Sequence, residues 1–201
     1  MTTKTEQKER SHETILESAS RLLRHRGISG ARVADVMKAA GLTVGGFYAH
    51  FASKEALIDE TLRRTGVQNR RRLFDHIEDK PEADRAEVVL KRYLSAAHRD
   101  QSVDGCPLPA VVGEVGTTAP EHRDALAEQL ELLSSELASQ VPAAHAPIPR
   151  RYLALGLVAL MYGGLSLSRA LRGTELSDDV LKACRALGRL ALRSDGEAKG
   201  A

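Results

Sequence analysis

This sequence predicts an all-α fold of about nine helices: an N-terminal three-helix helix-turn-helix head, then a helical C-terminal domain. Apolar residues recur every three to four positions in one segment after another. No run alternates apolar and polar residues as a half-buried strand would. The hydrophobic fraction is 42%, with no Trp and only 3% aromatic residues, so the core must be largely aliphatic, and its Leu and Ala favour helix. Residues 33–58, VADVMKAAGLTVGGFYAHFASKEALI, read as a helix, a tight turn, a short second helix and the start of a third. That arrangement sets one helix into a DNA major groove.

A first helix is expected from about Ser11 to His25: Ile15, Ala19, Leu22 and Leu23 share a face, Ser11 is a cap and Gly27 a stop. In the next, Val33, Val36, Met37 and Ala40 recur at helical spacing and Gly41 ends the run. With Ala31 and Arg32 ahead of it, Ser29 or Gly30 is its expected cap. Thr43 is placed to cap the short helix, whose Phe47 and Phe51 lie four apart on one buried face. Ser53 caps a long helix from Lys54 to about Ile77, and the polar run Glu78–Asp84, with Pro81, breaks it. Helices then follow over Ala86–His98, Leu108–Val115, Pro120–Gln140, Arg150–Arg172 and Ser177–Leu192. A loop at Ser102–Gly105, a proline-rich connection at Pro142–Pro149 and a frayed tail from Ser194 complete the pattern.

Net charge is only +2, but it is uneven. Residues 1–54 hold nine Lys and Arg against five Asp and Glu, a net +4, and the remainder is −2. A basic head on a slightly acidic body suits a phosphate-contacting domain joined to a sensor domain. Two cysteines, Cys106 and Cys184, make neither a disulfide framework nor a zinc pattern, and no cofactor or metal site is expected. The N-terminus lacks an apolar signal core. The longest uncharged run, Tyr152–Ser168, is 17 residues against the ~20 that span a bilayer. A cytoplasmic protein with no membrane partner is the expectation.

In such a head, base preference comes from the start of the second helix, and phosphate contacts fix its register. The Thr43 hydroxyl can serve either as a helix cap or as a contact to base or phosphate. Val44 can pack on a thymine methyl. Gly45 and Gly46 cost about 1 kcal/mol each within a helix, which close approach of the backbone to DNA would explain. Tyr48 and His50 lie off the Phe47/Phe51 face. Lys54, at a helix N-terminus, is a phosphate candidate, with Arg32 and Lys38 as weaker ones.

The run AxxxGLTVGGFYAHFxSKEAL resembles the recognition end of the TetR/AcrR family of bacterial transcriptional regulators over about the first 60 residues. Ala31-Arg32 and Val44 depart from the hydroxyl and polar residues usual there. The resemblance implies a homodimer that binds double-stranded operator DNA and is released by a small-molecule inducer. It also implies phosphate contacts from Tyr48 and Lys54. The expected division is a DNA-binding domain over 1–53 and a ligand-sensing and dimerisation domain over 54–201, with the helix from about 54 to 77 connecting them.

By architecture, family members dimerise through their last two helices. Leu157, Leu160 and Gly164 on one, and Leu181, Leu187 and Gly188 on the other, are the interface candidates here. Burial inside the monomer competes for the same residues. Tyr93, Tyr152 and Tyr162 are ligand candidates. Cys106, in Gly105-Cys106-Pro107, sits at a helix start that favours thiolate, so an oxidant- or electrophile-sensing repressor is the alternative. Cys184 belongs to an apolar stripe and reads as core. The remote readings are a cysteine-dependent helical enzyme, which lacks a neighbouring His, and a protein-binding adaptor. A non-enzymatic regulator is expected.

Overall fold

The computed structural model describes residues 3–100, 106–142 and 148–193. The expected loop at Ser102–Gly105, positions 143–147 of the proline-rich connection and the tail from Ser194 lie outside them. Among the described residues there are nine α-helices, three short 3-10 helices and no strand. The chain packs as two units, Met1–Gln68 with Ser102–Gln129, and Asn69–Gln101 with Leu130–Ala201. Among the described residues, 54–68 and 106–129 pack in one unit with residues 3–53, whereas the division expected from sequence falls at 53/54.

In the first unit, α1 runs Lys4–Gly30, starting well before the expected Ser11. The reason is a capping box: the Thr3 hydroxyl accepts from the Glu6 amide (3.2 Å) and the Glu6 carboxylate accepts from the Thr3 amide (2.8 Å). Gly27 does not stop the helix but kinks it, at φ 67° and ψ −170°. Helix α2 (Val33–Ala39) carries no side-chain cap bond, and Arg32, not Ser29 or Gly30, occupies its N-cap position. Gly41, at φ +70°, closes α2: its amide donates to Lys38 (3.1 Å) and the Leu42 amide to Met37 (2.9 Å), a Schellman ending. The expected short second helix is a 3-10 helix, Val44–Ala49. Helix α3 is Lys54–Leu73, with the Ala56 amide donating to the Ser53 hydroxyl (3.2 Å). One cluster unites these elements: Ile15, Leu16, Ala19, Val36, Met37, Phe47, Phe51 and Leu57 are buried together, edged by Leu22, Val33, Ala40 and Leu42.

The expected helix Ala86–His98 is two, α4 (Arg85–Tyr93) and α5 (Ala96–Asp100). The break at Leu94 arises because the Ser95 hydroxyl accepts from the His98 amide (3.1 Å) and starts a new helix. Helix α6 is Leu108–Thr117, and Pro120–His122 is 3-10 helix leading into α7 (Arg123–Ser139). Helices α8 (Arg150–Ala170) and α9 (Glu175–Leu192) close the described chain. In the second unit α8 and α9 touch through small residues: a Cβ on Gly164 would lie 2.7 Å from the Cys184 sulfur and 3.1 Å from Leu94. Ser168 and Ser177 each donate to the other's carbonyl at 2.7 Å, so both buried hydroxyls are satisfied. At 21 residues α8 is long and apolar enough to cross a bilayer, although the uncharged run read from sequence falls short. Its Leu153, Leu157, Met161 and Leu165 are nonetheless buried in the second unit, as a core helix requires.

His98 is buried in the second unit, with Nδ1 donating to the Tyr93 carbonyl (2.7 Å). Burial pushes its imidazole down to about 4; the Tyr93 carbonyl opposes this, and Arg169 and Arg72 reinforce it. The folded chain therefore keeps His98 neutral where the unfolded chain, titrating near 6.5, takes up a proton. This stability is fully present above pH 6.5 and is lost as pH falls from 6.5 to about 4, on the order of 3 kcal/mol in all. In urea unfolding against pH, His98→Gln should flatten that window while leaving the carboxylate-driven loss below it.

Candidate nucleic-acid interface

Six residues of 3-10 helix cannot hold their own position, so Val44–Ala49 depends on its anchors. Phe47 is buried against Met37 and Ile15, and its ring stacks at 5.7 Å on Phe51, the first residue after the helix's end turn. With that face committed to the core, the other is open. Thr43, Val44, Gly45 and Tyr48 are exposed, Val44 by 51% and Tyr48 by 77%. Thr43 takes the N-cap position without a side-chain cap bond, so its hydroxyl is not committed to the helix. A Cβ on Gly45 would meet nothing within 4 Å, and one on Gly46 only Thr43 and Met37 at 3.8–4.0 Å. Neither glycine is demanded by the fold of this chain.

Arg32 and Lys38 are exposed, and neither side chain has a hydrogen-bond or ion-pair partner among the described residues. His50 is half-buried beside His12, whose ring stacks on Phe51 at 4.5 Å and bonds Glu60 at 2.6 Å. Burial first, then His12 and Lys8, lower the His50 pKa. Lys54 is half-buried, and its Nζ donates to the Ile28 carbonyl at 2.9 Å.

That lysine belongs to a contact with no local sequence signal. Glu114 of α6 accepts from the Ile28 amide (2.7 Å), the Ser29 amide (2.9 Å) and the Ser29 hydroxyl (2.6 Å). The donors lie 85 and 86 residues away in sequence. Burial pushes the Glu114 carboxyl up, but the Ser29 and Ile28 bonds, with Lys54 nearby, outweigh it and hold the group below its ordinary value. Residues 28 and 29 are therefore gripped on their N–H side by a carboxylate and on the Ile28 carbonyl by an ammonium. The positive φ of the kink at Gly27 favours glycine, and a Cβ there would also overlap the Glu114 carboxylate, which would have to leave its bonds to residues 28 and 29.

The remaining candidates fall elsewhere. Tyr93 and Tyr162 stack at 5.9 Å inside the second unit, with His98 edge-on to Tyr93 at 4.7 Å. Tyr152 is 65% exposed on the first turn of α8. Cys106 is in the first unit and fully buried, a placement that gives an oxidant no access. Leu157, Gly164, Leu181 and Gly188 face the core of the second unit, Leu160 is half-buried and Leu187 is 57% exposed. Among the described residues no group of three His, Cys, Asp or Glu is placed to hold a metal.

A Schellman-closed helix, a tight turn and an anchored, open-faced short helix define a helix-turn-helix transcriptional regulator. Residues 15–61 match the family described as "Bacterial regulatory proteins, tetR family", and residues 83–184 match "Tetracyclin repressor-like, C-terminal domain". The chain belongs to the TetR family. It is 43% identical over 49 residues to the HTH-type transcriptional repressor KstR2 of Mycobacterium tuberculosis, a match spanning 24% of each chain. To the HTH-type regulator YvdT of Bacillus subtilis it is 40% identical over 47 residues, 23% of this chain and 24% of that protein. The chain thus aligns with about a quarter of the length of these curated relatives. A TetR regulator from Chloroflexus aurantiacus superposes with TM-score 0.77 at 25% identity, covering 92% of this chain and 94% of that one. A TetR-family regulator from Cytophaga hutchinsonii superposes with TM-score 0.74 at 22% identity, covering 91% and 95%. Regulators of this family are generally cytoplasmic and non-enzymatic, bind operator DNA and small molecules, and dimerise.

Gly27→Ala should cost roughly 1–3 kcal/mol of stability from its backbone region alone, with the Glu114 overlap added. Glu114→Ala should cost about 1–3 kcal/mol by leaving the part-buried Ile28 amide unpaired. Combined, they should cost less than the sum, because removing the carboxylate removes the overlap. Strict additivity in urea unfolding would show that Glu114 does not sit on Gly27.

Proposed function

We propose that this chain is a ligand-responsive transcriptional repressor, acting in the cytoplasm as a homodimer on double-stranded operator DNA. The observation that carries the reading is the free face of Val44–Ala49. The fold anchors Phe47 and Phe51 and leaves Thr43, Val44, Gly45 and Tyr48 exposed, with the Thr43 and Tyr48 hydroxyls free of side-chain hydrogen bonds among the described residues. Thr43 and Val44 would carry base preference, and Gly45 and Gly46 would let the backbone approach. Tyr48, His50, Arg32 and Lys38 would meet phosphates. Lys54 has three N–H donors and one is given to Ile28, so it can hold the hinge and reach a phosphate together.

For the dimer, the supporting observation is which apolar face stays open. On α8, Tyr152, Gly156, Ala159, Gly163 and Leu167 are exposed at helical spacing, and on α9 Leu176, Ala183, Leu187 and Leu190 are. A second copy packed here would place the two short helices about one DNA turn, ~34–36 Å, apart. Of the residues expected from sequence, Leu187 and part of Leu160 lie on this face. A ligand would act by favouring a state in which that spacing no longer fits. Tyr93 and Tyr162, inside the second unit, are its candidate contacts.

Selection of duplexes from a random-sequence pool, followed by titration over a range of salt, tests the reading. A sequence-selective complex with a steep salt dependence is expected; an adaptor or enzyme would give none. Gly45→Ala should fold with unchanged or higher stability yet bind the selected duplex at least tenfold more weakly, since its methyl group stands where the DNA comes. Undiminished binding would mean that the backbone does not approach there. In sedimentation, Leu187→Glu should leave a folded monomer with weakened binding, and a monomeric wild type at micromolar concentration would sink the dimer.

A further inference from the structure

We propose that the N-terminal turns of α1 form a second contact with the DNA sugar-phosphate backbone, centred on Arg10 with Gln7 and Ser11 beside it. This rests on the DNA-binding reading above and adds to it donors that lie outside residues 15–61, the part of the head matched by the family. Residues 7, 10, 11 and 14 occupy one face of α1 and, with Ala40 and Leu42, line a cleft of about 390 Å³. Ala40 and Leu42 stand three residues and one residue before Thr43. At 3.8 Å per residue, that wall is at most roughly 11 Å from the start of the short helix. A major groove is about 12 Å wide, so the phosphates flanking an inserted helix run within the same distance of it.

Charge on α1 is sorted to suit. The cleft holds no carboxylate. Glu13 and Glu17 lie on another face and pair with Arg64, and Glu6 is committed to the capping box. Of the other arginines in the first unit, Arg21 and Arg24 bond serines, Arg26 faces Asp35, and Arg63 and Arg64 bond glutamates, whereas the side chains of Arg32, already placed at the DNA face, and of Arg123 have no partner among the described residues. The exposed Arg10 guanidinium has no partner among the described residues; the Thr14 hydroxyl donates to its backbone carbonyl and not to its side chain. Thr14 is thereby committed, which leaves Arg10, Gln7 and Ser11 as donors into the cleft. The Thr3–Glu6 box keeps these turns helical without DNA, so the donors are already in place when a strand arrives. A polyanion with regularly spaced phosphates fits this arrangement, with Arg10 able to engage one phosphate by two N–H bonds.

The test uses the full chain and a duplex enriched by the wild type from a random-sequence pool. Arg10→Ala should bind every duplex more weakly by a similar factor, on the order of tenfold, and lower the slope of log K against log salt by about one per protomer. Base preference and thermal stability should stay as in the wild type, and Arg10→Lys should restore most of the slope. An unchanged slope overturns the proposal, as does a slope change accompanied by altered preference at one base pair, which would make Arg10 a base reader. The same is true if the wild type binds no duplex, but that result removes the repressor reading too. The first two outcomes leave it standing.

Discussion

Two aromatic rings fix what this protein can present. The segment Val44–Ala49 is a six-residue 3-10 helix containing two glycines, with poorer hydrogen-bond geometry than an α-helix. Its intrinsic balance is unfavourable by about 2 kcal/mol from the glycines alone. Burial of Phe47 and Phe51 contributes roughly 1.5–3 kcal/mol each, enough to offset that. The rings therefore decide where the segment sits, and the glycines are free to be chosen for what lies outside. Because both rings enter the Ile15, Leu16, Val36, Met37 cluster, the exposed edge follows α1 and α2 as one piece. Anything that moves the cluster moves Thr43 and Val44.

The second constraint is a pair of opposite charges closing on the end of α1. Helix ends expose amides and carbonyls that need partners. Here the amides of Ile28 and Ser29 go to the Glu114 carboxylate, and the Ile28 carbonyl goes to Lys54 and to the Ala31 amide. Without these bonds the kink at Gly27 would leave polar groups unpaired where α1 turns toward α2. The angle between the two helices is thus set by α6 and α3, through two side chains, and not by the loop's own sequence. Lys54 illustrates how a resemblance can be incomplete: a residue read as a DNA contact also has a structural partner 26 residues away.

The head was legible in the sequence because its signals are local. Gly41 ending α2, the Phe47/Phe51 pair and Ser53 capping α3 each act within about four residues, and each is found in its expected place. Where the reading missed, the cause was a local rule overlooked or a non-local partner. Thr3-x-x-Glu6 is a capping box, whereas the apolar period begins near Ser11, so periodicity alone places the start of α1 about two turns late. Gly27 has the sequence signature of a helix stop, and the Glu114 carboxylate that holds the residues after it as a kink comes from far along the chain. Ser29 or Gly30 is the cap that the sequence suggests for α2, but the Ser29 hydroxyl goes to Glu114 and Arg32 takes the cap position. The α4–α5 break depends on Ser95 capping a helix inside an unbroken apolar pattern, which periodicity alone cannot show.

Helix α8 presents the remaining ambiguity, and its resolution is geometric. Glycine occurs at 156, 163 and 164, and leucine at 153, 155, 157, 160, 165 and 167, so apolar or small residues occupy nearly the whole circumference. No periodicity divides such a helix into a core face and an open face. The fold does: Gly164 lies against Cys184 and Leu94, while a Cβ on Gly156 or Gly163 would meet nothing within 4 Å. Small residues thus serve α8 in two ways, one closing it onto α9 within the chain and one keeping its other side flat. A flat side of Gly, Ala and Leu gains little by facing water, and the same holds for Leu187 and Leu190 on α9. The open stripes on both helices are continuous in chemistry, and a twofold partner with identical stripes would cover them with matching small and large residues.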